Sequence, residues 1–224
     1  MVVASVEQRA RMPGFACAFR RAVILFVGAL AAACTLVPPP VEPAMREAAA
    51  AFVFTGRLSA TDGERSAAGR LEWQHRPSAD RWTVYSPLGQ IVARIEDGPE
   101  GAALTLADGT RHRAAQAADL MPAFFPGMAD AGLPLARLAA WVQAAPPAGS
   151  EVRTLDAQGR PARLIDQGWS IDYLDYQDGT AVALPRRLDI FRDVFRLRLV
   201  IEQWETETEK SIEDVREKEK DRAS

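Results

Sequence analysis

The fold is decided by alternation of the kind found in the stretch AAGRLEWQ, residues 67–74. Apolar or small residues at 67, 69, 71 and 73 alternate with residues at 68, 70, 72 and 74, most of which are polar. A period of two places successive side chains on opposite faces of a strand, so this stretch predicts a half-buried antiparallel strand. The same period recurs in FVFTGRL at 52–58 and in IVARIE at 91–96.

Turn signals separate these stretches into the pattern of a meander. Asp-Gly pairs stand at residues 62–63, 97–98, 108–109 and 178–179, and such pairs favour tight turns between antiparallel strands. Later strands are predicted at 152–155, 162–166, 170–174, 187–191 and 195–204. Because consecutive strands usually pair, we expect about ten or eleven strands in one sheet, which is long enough to curl.

Helical character interrupts the strands between residues 117 and 144. Residues 117–125 have helical composition and end at a Pro-Gly pair. Pro134 precedes Leu135, Leu138, Trp141 and Val142, which follow at helical spacing, and proline is tolerated at a helix start because the N–H there has no partner. The chain is therefore predicted to be mainly β with inserted α, the helices covering the open or concave side of the curled sheet.

The leader has the pattern of a bacterial lipoprotein signal. A basic pair at 20–21 is followed by an apolar run at 22–30 and then by three alanines and Cys34. The run is shorter than the roughly 20 residues that a spanning helix needs, and its order is that of a secretory signal peptide. A cysteine at this position predicts removal of residues 1–33 and lipid attachment at Cys34.

Alternatives remain open at the leader. A lipobox usually has leucine three residues before the cysteine, where this chain has Ala31. An ordinary signal peptide cut at an A-x-A site would leave Cys34 unmodified. Cys17 is a weaker candidate because no apolar run precedes it, and Met12 is an alternative start.

The segments that flank the domain are predicted from composition. Prolines at 38–40 and 43 indicate an extended tether, so residues 34–50 are assigned to the lipidated cysteine and its Pro-rich tether. Residues 51–204 form the domain. Residues 205–224 are rich in charge and poor in apolar side chains, which predicts disorder or a solvated helix.

Composition excludes several classes of function. The formal net charge of −3 implies no basic surface, so nucleic acid is not an expected partner. Both cysteines lie in the leader region and the histidines are only His75 and His112, so no metal site is expected. The sequence contains no nucleophile elbow, phosphate loop or dinucleotide fingerprint, so we expect neither an enzyme nor a cofactor.

Several short motifs stand in a characteristic order between residues 52 and 204. They are FTGRL at 54–58, GRLEW at 69–73, SPLGQ at 86–90, LPL at 133–135 with Leu138 and Trp141, QGW at 167–169 with Tyr173, LP at 184–185, and the stretch 197–204. Each is weak alone, but the ordered set after a lipobox resembles LolB, the outer-membrane lipoprotein receptor family of Gram-negative bacteria.

The resemblance implies both a fold and an activity. The fold is an incomplete antiparallel β-barrel with a helical lid over a hydrophobic cavity. The activity is to accept acylated lipoproteins from the periplasmic carrier LolA and to place them in the inner leaflet of the outer membrane, without nucleotide or metal. The protein is then expected to be a monomer, lipid-anchored at the periplasmic face of the outer membrane.

The inward face of the predicted strands supplies candidates for contact with acyl chains. Strand parity, the inserted helix and the family's cavity together select Leu71, Trp73, Ile91, Ile95, Leu104, Leu106, Trp141, Trp169 and Ile171. Each of them is also a plausible residue of a dry core, and the sequence leaves that alternative open.

Leu88 lies between Pro87 and Gly89, and that flanking pair predicts a tight exposed turn between two strands. Single exposed leucines are common and usually carry no function. In the LolB family the leucine of this loop is implicated in inserting lipoproteins into the membrane, and the resemblance extends that role to Leu88.

Two other functions compete with the lipoprotein receptor. One is a generic periplasmic lipoprotein that binds lipid or another ligand in the same curled sheet. The other is an assembly lipoprotein that anchors a complex, which a filled core without a cavity would favour.

Overall fold

The computed structural model describes residues 43–124 and 132–206, and these form one antiparallel sheet of 11 strands. The predicted number of strands is confirmed. In chain order the strands are β1 (Phe52–Thr61), β2 (Ser66–Arg76), β3 (Ala79–Tyr85), β4 (Ile91–Gly98), β5 (Gly101–Leu106), β6 (Arg111–Ala114), β7 (Glu151–Leu155), β8 (Pro161–Asp166), β9 (Trp169–Tyr176), β10 (Pro185–Arg192) and β11 (Phe195–Thr206).

The sheet is a double meander joined at its centre. Its strand order is β6-β5-β4-β3-β2-β1-β11-β10-β9-β8-β7, so each half consists of sequential hairpins. The first and last strands pair along their whole length, from Phe52 opposite Thr206 to Thr61 opposite Arg196. The edges β6 and β7 are not paired with each other, and the barrel is therefore incomplete, as predicted.

The connection between the two edge strands carries the predicted helices. A 3-10 helix (Ala117–Leu120) runs into the short helix α1 (Met121–Phe124), and helix α2 (Leu135–Val142) follows Pro134. Helix α2 buries its apolar face, which consists of Leu138, Trp141 and Val142. No helix in residues 43–124 or 132–206 has the length and apolar content needed to cross a membrane.

Antiparallel pairing divides the turns between two ends of the sheet. One end, named here the Leu88 rim, carries the turns at residues 62–65, 86–90, 107–110, 167–168 and 193–194. The other end, named the opposite rim, carries the turns at 77–78, 99–100 and 156–160 and the loop at 177–184. The chain enters β1 from the opposite rim, at Phe52.

One prediction of side-chain direction is wrong, because a bulge changes the parity of β4. Val84 pairs with Ala93, but Tyr85 pairs with Ile91, so Val92 has no partner on β3. A bulge inserts one residue and reverses which side chains face the core on its far side. Ile91 is consequently 42% exposed, although it was predicted to face inward with Ile95.

Candidate functional site

An apolar cavity lies between the centre of the sheet and helix α2. Its volume is about 170 Å³. Every residue that lines it is apolar, and the strands β1 to β4 and β11 supply most of them. The lining consists of Leu58, Ala60, Ala67, Ala68, Leu71, Trp73, Trp82, Val84, Val92, Ile95, Met121, Leu135, Leu138, Val142, Leu197 and Leu199.

Aromatic rings close the cavity towards the opposite rim. The ring centroids of Phe52 and Phe54 lie 5.2 and 5.6 Å from that of Trp73, which is 2% exposed. Trp204 lies 5.1 Å from Phe54, and Trp82 lies 5.5 Å from Trp73. Edge-to-face packing of this kind adds to the stability of a core beyond area burial. The cluster therefore seals this end of the half-barrel.

Small side chains leave the cavity open towards the Leu88 rim. Ala60 on β1 pairs with Ala67 on β2, close to the turn at 62–65. Ala67 lies on the inward parity of Leu71 and Trp73 but is exposed, and Leu58 is only half-buried. The lining thus changes from buried tryptophans to exposed alanine along the strands, and the mouth of the cavity lies at the Leu88 rim.

Helix α2 forms one wall of the cavity and is fixed by polar contacts on its other side. Trp141 Nε1 donates a hydrogen bond to Asp166 Oδ2 at 2.8 Å, and Arg137 Nη2 donates to Asp166 Oδ1 at 2.9 Å. The hydroxyl of Tyr173 donates to the carbonyl of Trp141 at 2.8 Å. Burial raises the pKa of Tyr173 well above its ordinary value, so this hydroxyl stays protonated and able to donate.

The predicted acyl contacts separate into three groups in the structure. Leu71, Trp73 and Ile95 line the cavity. Five others are held in or against the hydrophobic core and do not line the cavity. They are Leu104, Leu106, Trp141, Trp169 and Ile171. Trp169, for example, packs on Phe195 at 5.8 Å and on Trp141 at 6.3 Å. Ile91 faces away from the cavity, as the bulge in β4 requires.

Most residues that line the cavity were not among the predicted acyl contacts, although strand parity and helical spacing in the sequence indicated several of them. Leu58, Trp82 and Val84 share the strand parity of Leu71, and Leu135 and Leu138 follow Pro134 at helical spacing. Val92 carried no such signal, because only the bulge turns it towards the cavity.

Leu88 lies at the tip of the β3–β4 turn and is 88% exposed. The turn is closed by the Ser86 amide donating to the Gln90 carbonyl at 2.8 Å and by the Gly89 amide donating to the Ser86 carbonyl at 2.9 Å. Gly89 has a φ of +82°, a conformation that L side chains rarely adopt. The backbone of the turn is therefore fixed, while the side chain of Leu88 contacts little. The predicted exposed turn is confirmed, and its role stays a prediction.

Several predictions lie outside the described residues, namely those for the leader, for Cys34, for the tether before Pro43 and for the tail beyond Thr206. Among residues 43–124 and 132–206, no group of three or more His, Cys, Asp and Glu side chains is placed to hold a metal ion.

Comparison with known proteins assigns the domain. Residues 50–204 match the family model described as outer membrane lipoprotein LolB. The chain is 52% identical over 188 residues to the outer-membrane lipoprotein LolB of an Azoarcus species, covering 84% of this chain and 95% of that protein. It is 39% identical over 179 residues to the LolB of Thiobacillus denitrificans, covering 80% of this chain and 92% of that protein.

A solved structure gives a weaker likeness. A DUF1329 family protein from Desulfovibrio piger covers 71% of this chain and 86% of its own with a TM-score of 0.44 at 7% identity. Family membership is shown instead by the sequence matches to LolB proteins. On those matches, the chain belongs to the LolB family of outer membrane lipoproteins.

Proposed function

We propose that this protein accepts the acyl chains of lipoproteins from the periplasmic carrier LolA and releases them into the inner leaflet of the outer membrane. The observation that carries the proposal is the apolar cavity, which opens at the rim that also presents Leu88. Cargo would then enter and leave at the end of the half-barrel that approaches the bilayer. An assembly lipoprotein with a filled core would need no such cavity.

The energetics of the cargo explain why a continuous apolar path is needed. Burial is worth about 0.8 kcal/mol per methylene, so an acyl chain of about 16 carbons costs on the order of 12 kcal/mol to expose to water. A lipoprotein anchor with three such chains cannot cross an aqueous gap on a useful timescale. A mouth that faces the membrane directly removes that gap.

The size of the cavity implies that loading changes its walls. A volume of about 170 Å³ is close to that of an engineered cavity of about 150 Å³ that holds one benzene ring. Three acyl chains need far more space, so the cavity has to widen to hold them. The sheet strands are joined by continuous backbone hydrogen bonds, whereas α2 is joined to them mainly through side chains. We therefore propose that α2 moves outward during loading.

The anchor and tether are proposals of the same kind. The leader at residues 1–33 would be removed, Cys34 would carry the lipid and residues 34–50 would tether the domain. Strand β11 continues through Thr206, which corrects the predicted start of the charged tail from residue 205 to residue 207. Residues 43–50 of this proposed tether lie within the described part of the chain. Gln143 Oε1 accepts from the Ala49 amide at 2.8 Å, and its Nε2 donates to the Ala49 carbonyl at 3.3 Å.

Transfer of cargo between purified proteins tests the proposal. We expect a radiolabelled acylated lipoprotein to leave LolA for this protein and then to enter liposomes, while cargo without acyl chains does not transfer. The variant Cys34→Ala is the matched control, because it removes the proposed site of lipid attachment and leaves residues 51–204 unchanged. Binding of free fatty acids without exchange from LolA would instead support the generic lipid-binding protein.

A further inference from the structure

A second apolar residue projects from the Leu88 rim. Val194 is 72% exposed and lies in the turn that joins Arg192 to Phe195, the last pair of the β10–β11 hairpin. Its neighbour Asp193 has a φ of +51°, and the two residues alone make the reversal. Such a short turn holds the valine at a fixed place at the end of the sheet. Burial in the folded chain does not explain an apolar side chain at this tip.

The two apolar tips stand on either side of one polar turn. The order of strands along the rim is β4, β3, β2, β1, β11 and β10, so the turn at residues 62–65 lies between the turns that carry Leu88 and Val194. Four strand spacings separate the centres of those two turns, which is about 19 Å along the sheet edge. Two contacts this far apart restrict the tilt of the half-barrel along that edge, whereas one contact leaves it free to pivot in every direction.

Cationic side chains flank the second tip on the outer face of the sheet. Arg196 and Arg198 both bind the buried carboxylate of Asp189, at 2.8 Å and 2.7 Å, and both stay about half exposed, at 48% and 49%. Hydrogen bonds from Arg198 and Arg196 lower the pKa of Asp189, so it is ionised at neutral pH. Two guanidinium groups thus share one carboxylate and leave one positive charge in excess.

The same guanidinium groups border a shallow depression. Its volume is about 300 Å³. Hydroxyl and small side chains of β1 and β2 form the rest of its lining, namely Ser59, Ala60, Thr61, Ser66, Ala67 and Ala68. Hydroxyl and guanidinium donors are the groups that bind phosphate oxygens. The depression lies beside an apolar tip, which is the combination that an interfacial anchor presents to a phospholipid.

We propose that the Val194 turn is a second membrane contact, with Val194 entering the acyl boundary and Arg196 and Arg198 binding lipid phosphates. The proposal rests on the proposed function, because it assumes that the Leu88 rim faces the bilayer. A bilayer fits this surface better than a protein pocket does, since the apolar groups are two separate convex tips about 19 Å apart along the sheet edge. The mouth of the cavity lies between those tips and would be held against the membrane.

Depth of insertion can be measured on the lipidated chain in vesicles. No cysteine follows Cys34, so Val194→Cys offers a single thiol for an environment-sensitive fluorophore. Val182→Cys is the matched control, because Val182 is a valine of similar exposure, 75%, in the loop at 177–184 on the opposite rim. We expect lipids with a quencher in the acyl region to quench the label at 194 at least about threefold more strongly than that at 182. Equal quenching at the two positions would overturn the proposal.

Transfer of cargo into liposomes gives a second test at the same two positions, 194 and 182. Val194→Glu is expected to slow transfer of cargo into liposomes about tenfold, the factor that loss of one buried valine contact gives. Val182→Glu should transfer at the unmodified rate, and both variants should accept cargo from LolA normally. Phosphatidylglycerol in the vesicles should increase quenching at 194, and high salt should reverse the increase. A Val194→Glu protein that delivers normally refutes the second contact, while failure of the unmodified protein to transfer cargo refutes the proposed function.

Discussion

At the scale of single residues, Leu88 offers the sharpest separation of delivery from folding. We expect Leu88→Glu to keep its thermal stability, because a side chain that is 88% exposed buries little. Acceptance of cargo should also persist, since Leu88 does not line the cavity. Transfer into liposomes should fall about tenfold or more, because burying one leucine is worth roughly 1.5–3 kcal/mol and a carboxylate resists the acyl boundary.

The control for this variant is another exposed leucine. Leu174 on β9 is 46% exposed and lies on the outer face of the sheet. Leu174→Glu should deliver cargo at the normal rate in the same assay. If Leu88→Glu already fails to accept cargo from LolA, the residue is a docking residue for the carrier and the assigned membrane role is wrong.

Single residues also show where prediction from sequence ends. Leu88 was predictable as a turn tip, because proline and glycine on either side leave the chain few alternatives. Ile91, three residues later, was not, because its direction depends on the bulge opposite Tyr85. A bulge is set by how two strands pair, and residue alternation within one strand contains no information about it.

At the scale of elements, helix α2 is the moving part that the proposed function requires. Asp166 holds it through Trp141 and Arg137, and the Nε of Arg137 has no partner within the described residues. Asp166→Asn is expected to cost about 2 kcal/mol of unfolding free energy, the range for a lost hydrogen bond to a charged group. Hydrogen exchange should rise in α2 more than in the sheet.

Asp172→Asn is the matched control for that experiment. Asp172 pairs with Arg163, which is 49% exposed, on the outer face of neighbouring strands. Exposed pairs contribute at most about 1 kcal/mol, so this variant should lose less stability and leave exchange in α2 unchanged. Equal exchange in both variants would show that Asp166 does not restrain the helix.

The helix itself illustrates the limit of periodicity. The spacing of Leu135, Leu138 and Trp141 predicted an amphipathic helix after Pro134, and the structure confirms it. Periodicity did not reveal that Leu138 lines the cavity while the indole of Trp141 turns to Asp166. That division depends on a carboxylate 25 positions further along the chain, which no local pattern contains.

At the scale of the whole molecule, family membership and the geometry of the sheet agree. The protein is an outer membrane lipoprotein of a non-catalytic transport family, which confirms the predicted location and the prediction that it is not an enzyme. Alternation sufficed to predict the meander, and helical spacing sufficed to predict its interruption. It did not predict which inward residues face empty space, since Trp169 and Ile171 follow the same parity as Trp73 yet are fully packed.

The mouth of the cavity can be blocked without disturbing the rest of the sheet. Ala67 is exposed at the mouth and lies on a strand, where tryptophan is well tolerated. Ala67→Trp should therefore fold normally, but its indole would occupy much of a cavity of about 170 Å³. Because the indole competes with the acyl chains for this space, we expect the yield of a complex with acylated cargo to fall about tenfold, the factor that about 1.4 kcal/mol of lost apolar burial gives.

Native mass spectrometry of that complex provides the measurement, and Ala79→Trp provides the control. Ala79 is also an exposed alanine at the end of a strand, but it begins β3 at the opposite rim, beyond the aromatic cluster. If the chains enter at the Leu88 rim, only the Ala67 variant loses cargo. Residue 79 has the outward parity of Arg81, so its indole stays outside the cavity, and equal loss in both variants would show that an added indole weakens the complex wherever it stands. Equal retention in both variants would show that cargo binds outside the cavity, and the proposed path from cavity to membrane would then be wrong.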